Sequence, residues 1–238
     1  MILALLVLAC HPSAHTPPTL TELQALDDEA KAGERLMDAP MGLVRLDAPA
    51  SPHDTAVVAV HGYESEGSEW VGSPQVIATG GAELYIYNWN WNQCPSTAVS
   101  ELDLALDGLV VGDAALQYLV VIGHSQGGLV SVMWGQPQTA GRPAQLELIA
   151  APLAGVDLRQ KRCPGDGLGA GGPQLGNTWR QWRTAHEAEG AFRDMAVDPQ
   201  VVTLPELQVT QLPAEWEGGR LGHNRSIQWV TAELAQTP

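Results

Sequence analysis

The sequence predicts an α/β fold, a mostly parallel central sheet flanked by helices with little or no cap domain, and three observations carry that expectation. Apolar runs such as Thr55–Val60 (T-A-V-V-A-V) lack the alternation of a half-exposed strand and suit strands buried on both faces. Amphipathic stretches separate these runs, most clearly residues 96–111, where Val99, Leu102, Leu106, Leu109 and Val110 recur at helical spacing. Strand, helix and strand in that order form a right-handed crossover, the unit of a parallel sheet. The third observation is residues 119–134, where a β-branched run stops at Gly123 and a helix-compatible segment begins at Gly127. The 238 residues suffice for one domain with a substantial core, expected at 19–238, preceded by a leader and tether at 1–18.

Taken in order, residues 1–9 are apolar and too short to span a bilayer, as in the hydrophobic region of a signal peptide. Val7-Leu8-Ala9-Cys10 resembles a bacterial lipobox, which implies a lipidated Cys10 and a secreted or membrane-anchored lipoprotein of the cell envelope. His11, Pro12, His15, Pro17 and Pro18 then read as a tether. Thr19-x-x-Glu22 is a capping box opening one amphipathic helix over 20–37, and a short strand follows at 42–46. Residues 47–54 form a loop before the strand Thr55–Val60, and a polar loop at 64–72 carries Trp70. A short helix near 74–78 leads to a strand at 83–87. Trp89 and Trp91 lie beyond the carboxyl end of that strand, the edge where ligands bind in open α/β sheets, and either line a pocket or pack neighbouring loops. Another strand is expected at 145–150. The glycine-rich stretch 157–177 then reads as a lid or an insert. Residues 179–189 have helical spacing, Ala191-Phe192 marks a weak strand, the last strand falls within 201–209, and 226–234 closes the chain as a helix.

The chemistry concentrates at Gly123-His124-Ser125-Gln126-Gly127. A serine at the tip of a tight strand-to-helix turn adopts a strained backbone, and glycines two residues on either side allow the close approach. Its hydroxyl stands above the sheet, and the N–H of Gln126 points where an oxyanion would form. With the following Gly128, this Gly-His-Ser-Gln-Gly-Gly stretch resembles the α/β-hydrolase family, in its lipase and esterase branch. The resemblance implies Ser125 as nucleophile and His61-Gly62 as the start of an oxyanion loop, with the N–H of Tyr63 as second donor. Each such donor is worth about 3 kcal/mol in the transition state. The family order of serine, acid and histidine implies His223 as the base, with His186 as a rival that precedes the expected acid. Asp194 opens a D-x-x-V-x-P stretch like the one after the seventh strand of many members, and so is the expected acid; Asp198 and Asp157 are the alternatives.

Charge and cysteines bound the rest. A formal charge of −15 with 12 Lys plus Arg leaves no basic stripe, which argues against nucleic acid as a partner. No His-Glu-x-x-His and no cysteine pair at ligand spacing appears, so neither metal nor cofactor is expected. Cys94 and Cys163, each followed by proline, are either one disulfide or two unpaired thiols. The expected reaction is hydrolysis of a small-molecule or lipid carboxylic ester through an acyl-enzyme. Acyltransferase, thioesterase and non-catalytic surface-anchored binding protein are the alternatives, and the oligomeric state is not encoded legibly.

Overall fold

The computed structural model of the protein describes residues 16–47, 54–73, 81–136, 144–156, 161–168, 177–204 and 206–236. The expected lipidation site Cys10, the short helix near 74–78, most of the 47–54 loop and Asp157 lie outside them. A capping box does open the first helix, with Glu22 N donating to Thr19 Oγ1 (3.2 Å) and Thr19 N to Glu22 Oε2 (2.8 Å). The single helix expected over 20–37 is instead two, α1 (Leu20–Gln24) and α2 (Glu29–Met37). Asp28 explains the break: its carboxylate accepts from Ala30 N and Lys31 N, which makes it the N-cap of a new helix.

The sheet comprises β1 (Gly42–Asp47), β2 (Thr55–Val60), β3 (Glu83–Asn88), β4 (Tyr118–His124), β5 (Ala144–Ile149), β6 (Thr178–Arg183) and β7 (Leu207–Gln211), in the order β1-β3-β2-β4-β5-β6-β7. Every pairing is parallel except that of the edge strand β1 with β3. Helices α3 (Pro95–Gly112) and α4 (Gln126–Trp134) cover one face, where Leu102, Leu106, Val130 and Val132 pack on Val58, Val121 and Leu146. On the other face α1, α2 and the last helix α5 (Gly222–Gln236) bury Leu23, Leu36, Ile227 and Val230 against Val57, Ile122 and Ile149. A two-stranded hairpin, β8 (Glu215–Trp216) and β9 (Gly219–Arg220), precedes α5.

The main correction lies between β5 and β7. Residues expected to form a helix over 179–189 are instead strand β6 followed by a 3-10 turn (His186–Ala188), and Ala191-Phe192 lies in a turn rather than a strand. Trp179 and Trp182 mimic helical spacing but point to opposite faces, one into each core. The polar residues between them are paid for by partners distant in sequence: Gln181 Nε2 donates to Gln200 O (2.7 Å), and Arg180 lies 3.8 Å from Glu147. The last strand of the large sheet, β7, begins at Leu207 and runs to Gln211, past the end of the expected 201–209 stretch. Cys94 and Cys163 form a disulfide with a Cα–Cα distance of 5.6 Å, and Asp166 accepts from Ser96 N at the start of α3. This fastens residues 161–168 to that helix.

Candidate active site

Parallel register brings the carboxyl ends of β2 through β6 to one edge, and the chemistry-bearing residues leave the strands there. Ser125 follows β4 and precedes α4 with φ 53° and ψ −123°, a strained conformation costing about 1–3 kcal/mol for a residue with a Cβ. Its N–H donates to Ile149 O (2.8 Å), which fixes the turn over the end of β5. Close approach explains the glycines. A Cβ on Gly127 would stand 2.2 Å from Val60 O, and one on Gly62 would stand 2.9 Å from the Ser125 Cβ. The His61-Gly62 turn therefore lies directly on Ser125.

His61 is buried and pins this turn. Its Nδ1 lies 3.0 Å from Gly62 O, a carbonyl that can only accept, and its Nε2 accepts from Trp89 N (3.2 Å). Those partners select the neutral Nδ1–H tautomer, and burial also lowers the pKa of the ring. Trp89 returns a bond from Nε1 to His61 O (3.0 Å), so this tryptophan packs and braces the loop. Trp91 lies edge-on to Tyr63, with ring centroids 4.8 Å apart. Tyr63 is half exposed, directly after Gly62, while buried Gln126 opens α4 at the positive end of the helix dipole.

His223, expected in a loop, sits in the first turn of α5. Its Nδ1 is hydrogen-bonded to Oε1 of Glu189, a carboxylate that the sequence reading did not single out. Glu189 is fully buried, and its Oε2 accepts from Ala191 N (2.5 Å) and Phe192 N (2.9 Å). Burial pushes its pKa up, but the hydrogen bond and charge of His223, with the two backbone amides, outweigh burial and hold the net value below the ordinary one. His186 donates from Nε2 to Phe192 O (2.8 Å) and so closes the turn that presents Glu189. The Phe192 ring packs edge-on to His223 at 5.2 Å, and the ring of His124 lies 4.4 Å from that of His223.

The expected acids stand elsewhere. The Asp194 side chain is 94% exposed and 3.9 Å from Arg193. Asp198 Oδ1 accepts from Gln200 N (2.9 Å) and Gln200 Nε2 (3.2 Å), a turn-capping arrangement away from His223. The difference follows from the strand: β6 ends at Arg183, so the turn whose carboxylate meets His223 comes earlier than expected. Reading Trp179 to Arg183 as a strand is the one signal that would have pointed to Glu189. Among the described residues, the trio Cys94, Cys163 and Asp166 is grouped as metal ligands would be, but its two sulfurs are joined in a disulfide and offer no thiolate.

No family model and no curated protein matches the sequence. Solved structures do match. Est1E of Butyrivibrio proteoclasticus superposes with a TM-score of 0.55 at 13% identity, over 82% of this chain and 91% of that one. A protein of Agrobacterium vitis S4, classed by inference as a hydrolase, gives a TM-score of 0.57 at 15% identity over 81% and 91% of the two chains. The chain has the α/β-hydrolase fold. A metagenome-derived structure from a study of the lipolytic enzymes LipS and LipT is also similar, with a TM-score of 0.51 at 12% identity over 81% of this chain and 94% of that chain. In an open α/β sheet ligands bind at the carboxyl edge, which here holds Ser125, Glu189 and His223.

Proposed function

We propose that the protein is a serine hydrolase cleaving carboxylic esters through an acyl-enzyme on Ser125, with His223 as base and Glu189 as acid. The observation that carries this reading is the buried Glu189 carboxylate, held by two backbone amides and bonded to His223 Nδ1. An acceptor at Nδ1 leaves Nε2 as the lone pair able to take the Ser125 proton. On attack, Ser125 Oγ bonds to the ester carbonyl carbon and its proton passes to His223 Nε2. The oxyanion is stabilised by the N–H groups of Tyr63 and Gln126. The imidazolium, balanced by Glu189, then gives its proton to the departing alcohol. Water, deprotonated by the same nitrogen, releases the acid and regenerates Ser125. Neighbours described as an esterase and as lipolytic enzymes favour an ester, small-molecule or lipid, as substrate. Fold alone also admits a thioester or an acyl acceptor other than water, and product analysis with an added alcohol separates these.

Labelling with a fluorophosphonate probe tests the reading, because the probe reacts only with a serine activated by a neighbouring base. Wild type should label, while Ser125→Ala and His223→Ala should not. Folded wild type that does not label points instead to a binding protein on this scaffold. The same reading extends to Cys10 as a lipid anchor at the cell envelope. Palmitate incorporation abolished by Cys10→Ser supports it, and incorporation that survives the substitution refutes it.

A further inference from the structure

We propose that His124 is a positioning residue for the base: the hydrogen bond from its Nε2–H to the main-chain carbonyl of His223 sets where the His223 ring stands relative to Ser125. The inference rests on the serine-hydrolase reading above. His124 Nε2 lies 3.2 Å from His223 O, and because a carbonyl only accepts, Nε2 carries the proton and Nδ1 is bare. Nδ1 is buried and has no hydrogen-bond partner among the described residues. Burying an unsatisfied acceptor is costly. The ring is enclosed, edge-on to Trp70 at 6.3 Å, so an apolar side chain would fill the space without that cost. What histidine adds is a donor reaching from the end of β4 to the first turn of α5.

The carbonyl of His223 also accepts from Ser226 Oγ, so two donors converge on one oxygen. Ser125 follows His124 directly, and the bond therefore ties the main chain of the base to the residue beside the nucleophile, 99 positions away in sequence. Burial, and then the charge of His223 beside it, hold the His124 pKa well below the ordinary value, so His124 stays neutral when His223 gains a proton and does not compete as base. Misplacing a reacting group by about 1 Å costs about a hundredfold in rate.

The test compares His124→Leu, which lacks the donor, with His124→Gln, whose amide N–H reaches toward the same carbonyl. It reads kcat and KM on p-nitrophenyl butanoate, the fluorophosphonate labelling rate and Tm. The leucine variant should lose about ten- to a hundredfold in kcat and labelling rate, with KM within about twofold and Tm unchanged or raised. Glutamine should restore most of the loss. A leucine variant that keeps wild-type kcat overturns the proposal, as does a glutamine variant impaired as badly as leucine. A leucine variant that unfolds also overturns it, because the role would then be structural. If wild type labels but the variants label equally fast, only this proposal falls. If wild type neither labels nor cleaves ester, the hydrolase reading falls and takes this proposal with it.

Discussion

Replacing Glu189 by glutamine keeps the side chain's shape and removes its charge, and the hydrogen bonds around it dictate the consequence. Ala191 N and Phe192 N both donate to Oε2, so the amide oxygen stays there and the new NH2 faces His223 Nδ1. Two donors cannot face each other. His223 must then carry its proton on Nε2, where it cannot accept one from Ser125. A base locked in the wrong tautomer loses about 10⁴ in kcat, or about 5 kcal/mol of transition-state stabilisation. KM should change little, since the Glu189 side chain is fully buried and offers no surface to a substrate. Asp194→Asn is the matched control: a side chain 94% exposed should leave kcat within about twofold. Steady-state ester hydrolysis with a parallel thermal melt decides between them. The reasoning is refuted if a folded Glu189→Gln variant retains kcat within about tenfold while Asp194→Asn or Asp198→Asn loses about a hundredfold. The pH sign is also fixed. Because the Glu189 pKa is lowered, stability from its ionised form is complete above the ordinary carboxylate range near about 4.3, and is lost as pH falls through the lower folded value.

Other perturbations follow from the packing. Gly127→Ala places a Cβ 2.2 Å from Val60 O and 2.4 Å from His61 O, both main-chain atoms; it should cost about 1–3 kcal/mol in urea unfolding and lower kcat by displacing the His61-Gly62 turn. Glu147 lies buried within the sheet, hydrogen-bonded to Trp182 Nε1 and Gln145 Nε2, and burial raises its pKa. Stability should therefore decline as pH rises from about 4.3 through the higher folded value, and Glu147→Gln should flatten that slope in Tm measured against pH. A Cys94→Ser/Cys163→Ser double variant opens a loop with a sequence separation of 69 and should lose up to about 4 kcal/mol in chemical denaturation, with an unchanged midpoint refuting a stabilising disulfide.

Features whose cause is local are legible in the sequence. Strand β2 is legible because T-A-V-V-A-V is a short β-branched apolar run suited to burial on both faces, and the turn at Ser125 because its glycines are required by a main chain within 3 Å. Helix α3 shows its core side at 3.6-residue spacing, and His223 sits where the chain enters its last helix. Only the tertiary structure decided which carboxylate meets His223. Strand β6 is written with Arg180 and Gln181 in its interior and Arg183 at its end, and these are tolerable only because Glu147, Gln200 and Val202 O receive them from elsewhere in the fold. No window of sequence displays those partners, so the strand reads as a helix and the turn after it shifts toward Asp194. Glu189 looks like an ordinary surface glutamate until burial, two backbone amides and the imidazole of His223 converge on it. Periodicity reports which face of an element is apolar. Which polar group is worth burying depends on what the rest of the chain brings to it.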